Sequence, residues 1–202
     1  MQVQLKNIRF NYISTLKPRS FDGDEKSARY SVTLLLEKDS EEMKQMEDAI
    51  LSVAKEKWGA KAPGLLKKLR KEERICLRDG DGKFNKDGEI VDGFEGHYYV
   101  SASNKARPHT LNKYKETITL ETDGEFTGER RGPRSGDFGA AMISFWPQDN
   151  KFGQRINCQL DAIMFLREGD PLGGSGGVSL EGAVNAFAGL GEDPKDANLF
   201  ED

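Results

Sequence analysis

Apolar side chains recur at nearly alternate positions along the start of the chain. Val3, Leu5, Ile8, Phe10 and Tyr12 predict a long first strand, with a bulge near Lys6 and Asn7 and an end at Pro18. Polar residues 20–27, with Gly23, make a loop, and residues 30–36 (YSVTLLL) read as a buried strand. The period then changes. Asp39 and Ser40, with Glu42 three residues after Asp39, signal a helix start; Met43, Met46, Ile50 and Val53 follow at helical spacing, and Gly59 is the C-cap, giving a helix over 41–58. A shorter helix after Pro63 uses Leu65, Leu66 and Leu69 and exposes Lys67, Lys68, Arg70 and Lys71.

Strands resume at Ile75 and Leu77, with Arg74, Cys76 and Arg78 on the opposite face. The Gly- and Asp-dense stretch 79–93 predicts a turn-rich hairpin around 83–86. Residues 97–102 (HYYVSA) form a strand with Tyr98, Val100 and Ala102 on one face and Tyr99 and Ser101 on the other. A basic loop over 104–115, a short strand at 117–120 and a Gly-rich loop over 125–136 follow. Two strands, 140–146 and 155–166, separated by a turn at 147–153, close the body. About six strands with one substantial helix between the second and third predict a mainly β, antiparallel architecture, closed into a barrel because closure removes exposed edges. Past Leu166 the pattern dissolves into a Gly-rich linker (GGSGG, 173–177) and a stretch of small and acidic residues expected to be disordered. The expected division is therefore a barrel domain over 1–170 and a flexible linker with an acidic tail over 171–202.

Composition changes this picture in one respect. Apolar residues make up 36% of the chain, enough for a packed core, and the formal net charge is -4, which at face value argues against nucleic acid. The charge is unevenly placed: residues 168–202 hold eight acids against Lys195 alone, a balance of -7, which leaves residues 1–167 at +3. The N-terminus lacks the apolar run of a secretory signal, and no stretch approaches the roughly 18 apolar residues of a membrane span. A cytoplasmic location is expected, with no membrane partner. Cys76 and Cys158 sit in no metal-binding spacing and read as small buried residues in a reducing compartment, the alternatives being one disulfide or a reactive thiol.

Enzyme motifs are missing: HExxH, GxSxG and GxxxxGK[ST] do not occur, and only His97 and His109 are present. The segment beginning at Asp79 opens like a calcium loop, but Lys83 and Phe84 stand where an oxygen ligand and a glycine belong. No catalytic residue, metal or cofactor is implied. The positive signal is aromatic residues interleaved with basic ones: ten of the eighteen aromatics lie between Phe84 and Phe152. The adjacent pairs Tyr98–Tyr99 and Phe145–Trp146 must each send one ring to either face of a strand, leaving the other near solvent. With Phe152, Lys105, Arg107, Lys113, Lys115, Lys151 and Arg155 nearby, such rings match what single-stranded nucleic acid requires, π-faces for bases and cations for phosphates. The same pattern also fits rings buried in a core with charges on solvated loops. In the tail, Asp196, Leu199, Phe200, Glu201 and Asp202 place two apolar side chains among acids, either a solubilising end or a peptide for a partner's pocket with a basic rim.

Three segments in order, 30–50, 93–108 (GFEGHYYVSASNKARP) and 140–174 (AAMISFWPQDNKFGQRINCQLDAIMFLREGDPLGG), resemble the single-stranded DNA-binding proteins of tailed bacteriophages. The resemblance covers most of residues 1–174, and the acidic tail is similar in character. It implies an oligonucleotide-binding (OB) fold that coats and protects single strands in replication, recombination or repair, without reading sequence. It also implies a tail that recruits replication or recombination proteins. The oligomeric state, monomer or dimer, stays open. The rival readings are a virion or assembly protein with a β-barrel and no DNA, and a metal-dependent nuclease.

Overall fold

The first strand, β1 (Gln2–Arg19), departs from strict alternation twice, and both departures are bulges. Pairing shifts register between Leu5 and Ile8, with Asn7 at φ 50°, so that Leu5, Ile8 and Phe10 all point into the core. A second shift lies between Asn11 and Ser14. There the Asn11 side-chain carbonyl accepts the Tyr12 N–H at 2.8 Å, Tyr12 takes φ 48°, and its ring turns outward to 50% exposure. Tyr12 therefore does not continue the core-facing row that the alternation predicts. The strand also runs one residue past Pro18.

The computed structural model describes residues 1–20, 23–122 and 124–172, with 185, 187 and 188. After β1 come β2 (Arg29–Glu37), α1 (Glu41–Trp58), α2 (Ala62–Lys71), β3 (Leu77–Asp79), β4 (His97–Asn104), β5 (His109–Leu111), β6 (Phe138–Asn150) and β7 (Gly153–Arg167). Strand order is β3-β4-β2-β1-β6-β7-β5, and a further parallel pairing of Ser103 in β4 with Gln159 in β7 closes β1, β2, β4, β7 and β6 into a five-stranded barrel. The mainly β, closed-barrel expectation holds. The linker and the tail, including Asp196, Leu199, Phe200, Glu201 and Asp202, lie outside the described residues.

Helix α1 has the expected span, but its N-cap is Ser40, whose Oγ accepts the Met43 N–H at 3.2 Å, and not Asp39. Its buried face, Met43, Met46, Ile50 and Val53, packs against β1, β2 and β6, each side chain contributing about 1.5–3 kcal/mol. The barrel interior is filled by Leu34, Leu36, Val100, Ile143, Phe145, Leu160 and their neighbours. Strand β2 is buried on both faces, which is why it reads as a continuous apolar run.

Three expected connections differ. The turn at 147–153 shrinks to Lys151 and Phe152, because residues 147–150 pair with 153–156 and extend the hairpin, with Gly153 at φ 94°. The expected basic loop 104–115 contains β5, which lies parallel to β7 and satisfies backbone groups on its outer edge. Residues 117–120 form no strand: Thr117 bridges Leu111, and the Ile118 N–H bonds Thr110 O at 2.9 Å. Cys158 is buried and Cys76 half-buried, both as free thiols.

The Gly-rich loop before β6 contributes a buried ion pair. Arg131 donates from Nη1 (2.5 Å) and Nη2 (3.0 Å) to the two oxygens of Asp137, which is 3% exposed and also accepts the Arg134 N–H at 2.7 Å. The guanidinium lies 4.6 Å from the Phe165 ring centroid. Replacing Arg131→Met should leave Asp137 as an uncompensated buried charge and cost about 3–5 kcal/mol in urea unfolding. A loss below 1 kcal/mol would show that water reaches Asp137 in the folded state.

Candidate nucleic-acid interface

The outer face of β2 and β4 is paved with short hydroxylated side chains. Ser31 stands opposite Ser103 and Thr33 opposite Ser101, while Ser14 of β1 pairs with Ser31. Low side chains let a ligand approach the sheet, and taller ones flank them. At one end Tyr99, opposite Leu35, is covered by Phe94, whose ring stands edge-on to it at 5.1 Å and 75°. Tyr12 lies 6.1 Å from Phe94 on the solvent side.

Phe94 is delivered by the loop between β3 and β4. That loop crosses so closely over Gly80 that a Cβ there would lie 2.2 Å from the Phe94 carbonyl oxygen. Lys38 clamps its base, with Nζ 2.5 Å from Asp81 Oδ2 and 2.9 Å from Asp79 Oδ1, and Asp81 Oδ1 accepts the Gly96 N–H at 2.7 Å. The bond to Lys38, seconded by the Gly96 N–H, holds the Asp81 carboxyl below its ordinary 3.8, and the two carboxylates, Asp81 foremost, push the Lys38 ammonium up.

Two cavities open along this face, of about 890 and 630 Å³, and both are lined by Arg29, Ser101 and Ser103, so they form one track. Tyr12, Phe94 and Tyr99, with Arg19 and Lys83, wall the first part. Trp146, Gln148, Asn157 and Gln159, with Arg74, Arg78, Lys105 and Arg155, wall the second. Seven cations therefore border the track against one carboxylate, Glu73. An exposed ring stands at each part, Tyr12 and Trp146, the latter 46% exposed. The arrangement offers stacking surfaces, a hydrogen-bonding floor and phosphate-neutralising charge to an extended chain.

The structure sorts the expected site residues into three groups. Tyr99, Lys105, Trp146 and Arg155 line the track. Lys151 and Phe152 form the β6–β7 turn at its rim, beside Arg74, whose Nη1 a Cβ on Gly153 would meet at 2.3 Å; Phe152 is 71% exposed with Lys151 Nζ 5.1 Å from its ring. Tyr98, Arg107, Lys113 and Lys115 line neither cavity. Tyr98 packs against the core with Lys38 Nζ 5.5 Å from its ring, and Lys113 is paired with Glu129. The expectation for Tyr98–Tyr99 needs correction: the rings take opposite faces, but Phe94 buries Tyr99 to 7% exposure, so neither is the open ring. For Phe145–Trp146 the split is as expected, with Phe145 in the core.

Tyr12, Arg19, Arg29 and Lys83 were not singled out by the sequence pattern, and Tyr12 was placed on the core face. Arg74 and Arg78 were legible as the outer row alternating with Ile75 and Leu77. No signal short of the bulge itself marks Tyr12. Among the described residues no three His, Cys, Asp or Glu side chains are grouped as a metal site requires, and no helix is long and apolar enough to cross a membrane.

A barrel of this connectivity, closed by a parallel pair and grooved across β2 and β4, is an OB-type barrel. The sequence matches, over residues 1–196, the family described as Enterobacter phage Enc34, ssDNA-binding protein, and the chain belongs to that family. It is 30% identical over 187 residues to "Putative protein p50" of Acyrthosiphon pisum secondary endosymbiont phage 1, covering 90% of this chain and 91% of that one. It is similar to the C-terminally truncated single-stranded DNA-binding protein from bacteriophage Enc34, with 26% identity, a TM-score of 0.63, and coverage of 85% of this chain and 88% of that one. The Enc34 protein in complex with ssDNA matches with 26% identity and a TM-score of 0.60, over 85% and 89% of the two chains.

The clamp on the loop carrying Phe94 sets its pH response. Because Asp81's folded value is lowered, the clamp contributes fully above the ordinary 3.8 and is lost as pH falls through the folded value. In Lys38→Met, the Asp81 carboxyl should return towards 3.8 by NMR titration, and amide exchange across 83–96 should quicken while barrel amides stay protected. Unchanged exchange in the loop would show that Phe94 packing alone holds it.

Proposed function

We propose that this chain is a sequence-tolerant single-stranded DNA-binding protein that coats and protects single strands in phage DNA replication, recombination or repair. The observation that carries this reading is the continuous track across β2 and β4, with a hydroxylated floor, exposed rings at Tyr12 and Trp146, and seven bordering cations. Its exposed rings and bordering cations serve any base. The Enc34 relative with ssDNA bound supports the same ligand. The role is one of binding and not of catalysis, in the host cytoplasm. The acidic C-terminal segment recruits replication or recombination proteins through Leu199 and Phe200 among Asp196, Glu201 and Asp202, and competes with DNA for the basic track.

In a fluorescence-anisotropy titration at moderate salt, oligothymidine should bind well ahead of a duplex of equal length; equal affinity overturns the reading. Incubation with and without magnesium should leave the oligonucleotide uncut.

Tyr12 allows a sharper test, because a left-handed tyrosine carries backbone strain of order 1–3 kcal/mol that glycine relieves. Tyr12→Gly should keep or raise thermal stability while weakening single-strand binding by about 1–3 kcal/mol, the loss of one stacking surface. Trp146→Ala should weaken binding by a similar amount. Full affinity in both variants removes the rings from the site.

Truncation after Gly174 removes six of the eight acids and Lys195, leaving Glu168 and Asp170. It should tighten oligonucleotide binding at low salt. Unchanged affinity would leave the segment with partner recruitment alone.

A further inference from the structure

Beyond Arg19 the track does not stop. A cavity of about 270 Å³ opens between the end of β1 and the loop before β6, and Ser14 and Arg19 line both it and the groove. Its lining carries Lys17, Arg19 and Arg134 and no carboxylate. None of these three cations has an ion-pair partner among the described residues. Thr110 forms part of the wall; it is 2% exposed, and its hydroxyl has no hydrogen-bond partner. A buried hydroxyl without a partner is costly in a folded protein, and an arriving acceptor would satisfy it.

The chemistry of this cavity differs from that of the groove. No aromatic residue lines it, so it offers nothing for a base to stack on. It is smaller than the roughly 300–1,000 Å³ of pockets that enclose drug-sized molecules. Three cations, a hydroxyl and a small volume suit a phosphate oxyanion with part of its sugar.

We propose that this cavity is a phosphate subsite that takes the backbone of the single strand as it leaves the groove past Arg19. The proposal rests on the single-strand reading above and deepens it: the track has a stacking part across β2 and β4 and a ring-free, purely electrostatic part at the end of β1. Strands long enough to reach the cavity gain charge contacts that shorter ones lack.

The test uses the full chain and oligothymidines of about 6 and about 16 nucleotides, bracketing the site sizes of OB barrels. The double variant Lys17→Gln with Arg134→Gln changes two exposed side chains and leaves the backbone bonds of both residues in place. It should lower affinity for the longer strand about tenfold at low salt and flatten its logarithmic salt slope by about 1.4, two phosphate contacts at about 0.7 each. Binding of the shorter strand should stay within twofold. Thr110→Val should leave the melting temperature unchanged or higher while weakening the longer strand about threefold. A short strand carrying a terminal phosphate separates the two sources of the ligand: a gain over its unphosphorylated form, lost in the double variant, assigns the subsite to chain ends, and no gain assigns it to internal phosphodiesters. Equal losses on both lengths, or none on either, overturn the proposal. Failure of the unaltered protein to bind either strand overturns the single-strand reading itself, and the subsite with it.

Discussion

The pairing of β4 with β7 is the constraint on which the rest depends. Ser103 meets Gln159 in the parallel direction, and the Asn104 side chain donates to Leu160 O at 3.0 Å, so two distant parts of the chain share one surface. Without that closure β4 would present an open edge, and the outer rows of β2 and β4 would lie far from Asn157, Gln159 and Trp146 of the β6–β7 hairpin. Closure turns two half-surfaces into one track. It also obliges every strand to serve two faces, an inner one filled by Leu34, Val100, Phe145 and Leu160 and an outer one free for chemistry.

How the outer face is used follows from side-chain size. Serines and a threonine keep the floor low, whereas the walls rise by two devices that carry conformational cost. One is the bulge at Asn11 and Tyr12, which sets a tyrosine in the left-handed region so that its ring projects outward. The other is the loop over Gly80, held down at Lys38, which lays Phe94 between Tyr12 and Tyr99. Both are local departures from regular β structure, and both end in an aromatic ring at the same end of the track. Strain and irregular backbone concentrate where a ligand is met, while the regular hairpin and α1 supply the burial that tolerates them.

Much of this was legible in the chain, for identifiable reasons. The span of helix α1 was readable because the period and the glycine C-cap agree, although Ser40 and not Asp39 caps its N-terminus. Strand β2 was readable because burial on both faces leaves an unbroken apolar run. The bulge at Asn7 showed as a skipped beat between Leu5 and Ile8. The bulge at Tyr12 did not, because the alternation continues in phase and only an asparagine side chain bonding the next backbone amide breaks the ladder. Strand β5 was hidden because three residues paired to β7 carry no period of their own. Of the expected residues, Trp146 and Arg155 lie along the track because alternation within a strong strand fixes the face. Arg107, Lys113 and Lys115 failed to join them because nearness in sequence to Tyr99 is not nearness in space once β5 turns the chain away.

The charge follows the same logic of place. A net charge of -4 describes no point on the molecule. Exposed charges are screened beyond about 8–10 Å at physiological salt, so a phosphate in the track would feel Arg29, Arg74, Arg155 and their neighbours and not an average over the chain. Rings and cations respond differently to conditions: stacking on the proposed surfaces, Tyr12 and Trp146, would persist as salt rises, while phosphate neutralisation would weaken. A binding surface that divides its affinity in this way keeps a hold on a single strand when its charges are screened, and it does so without preferring any base.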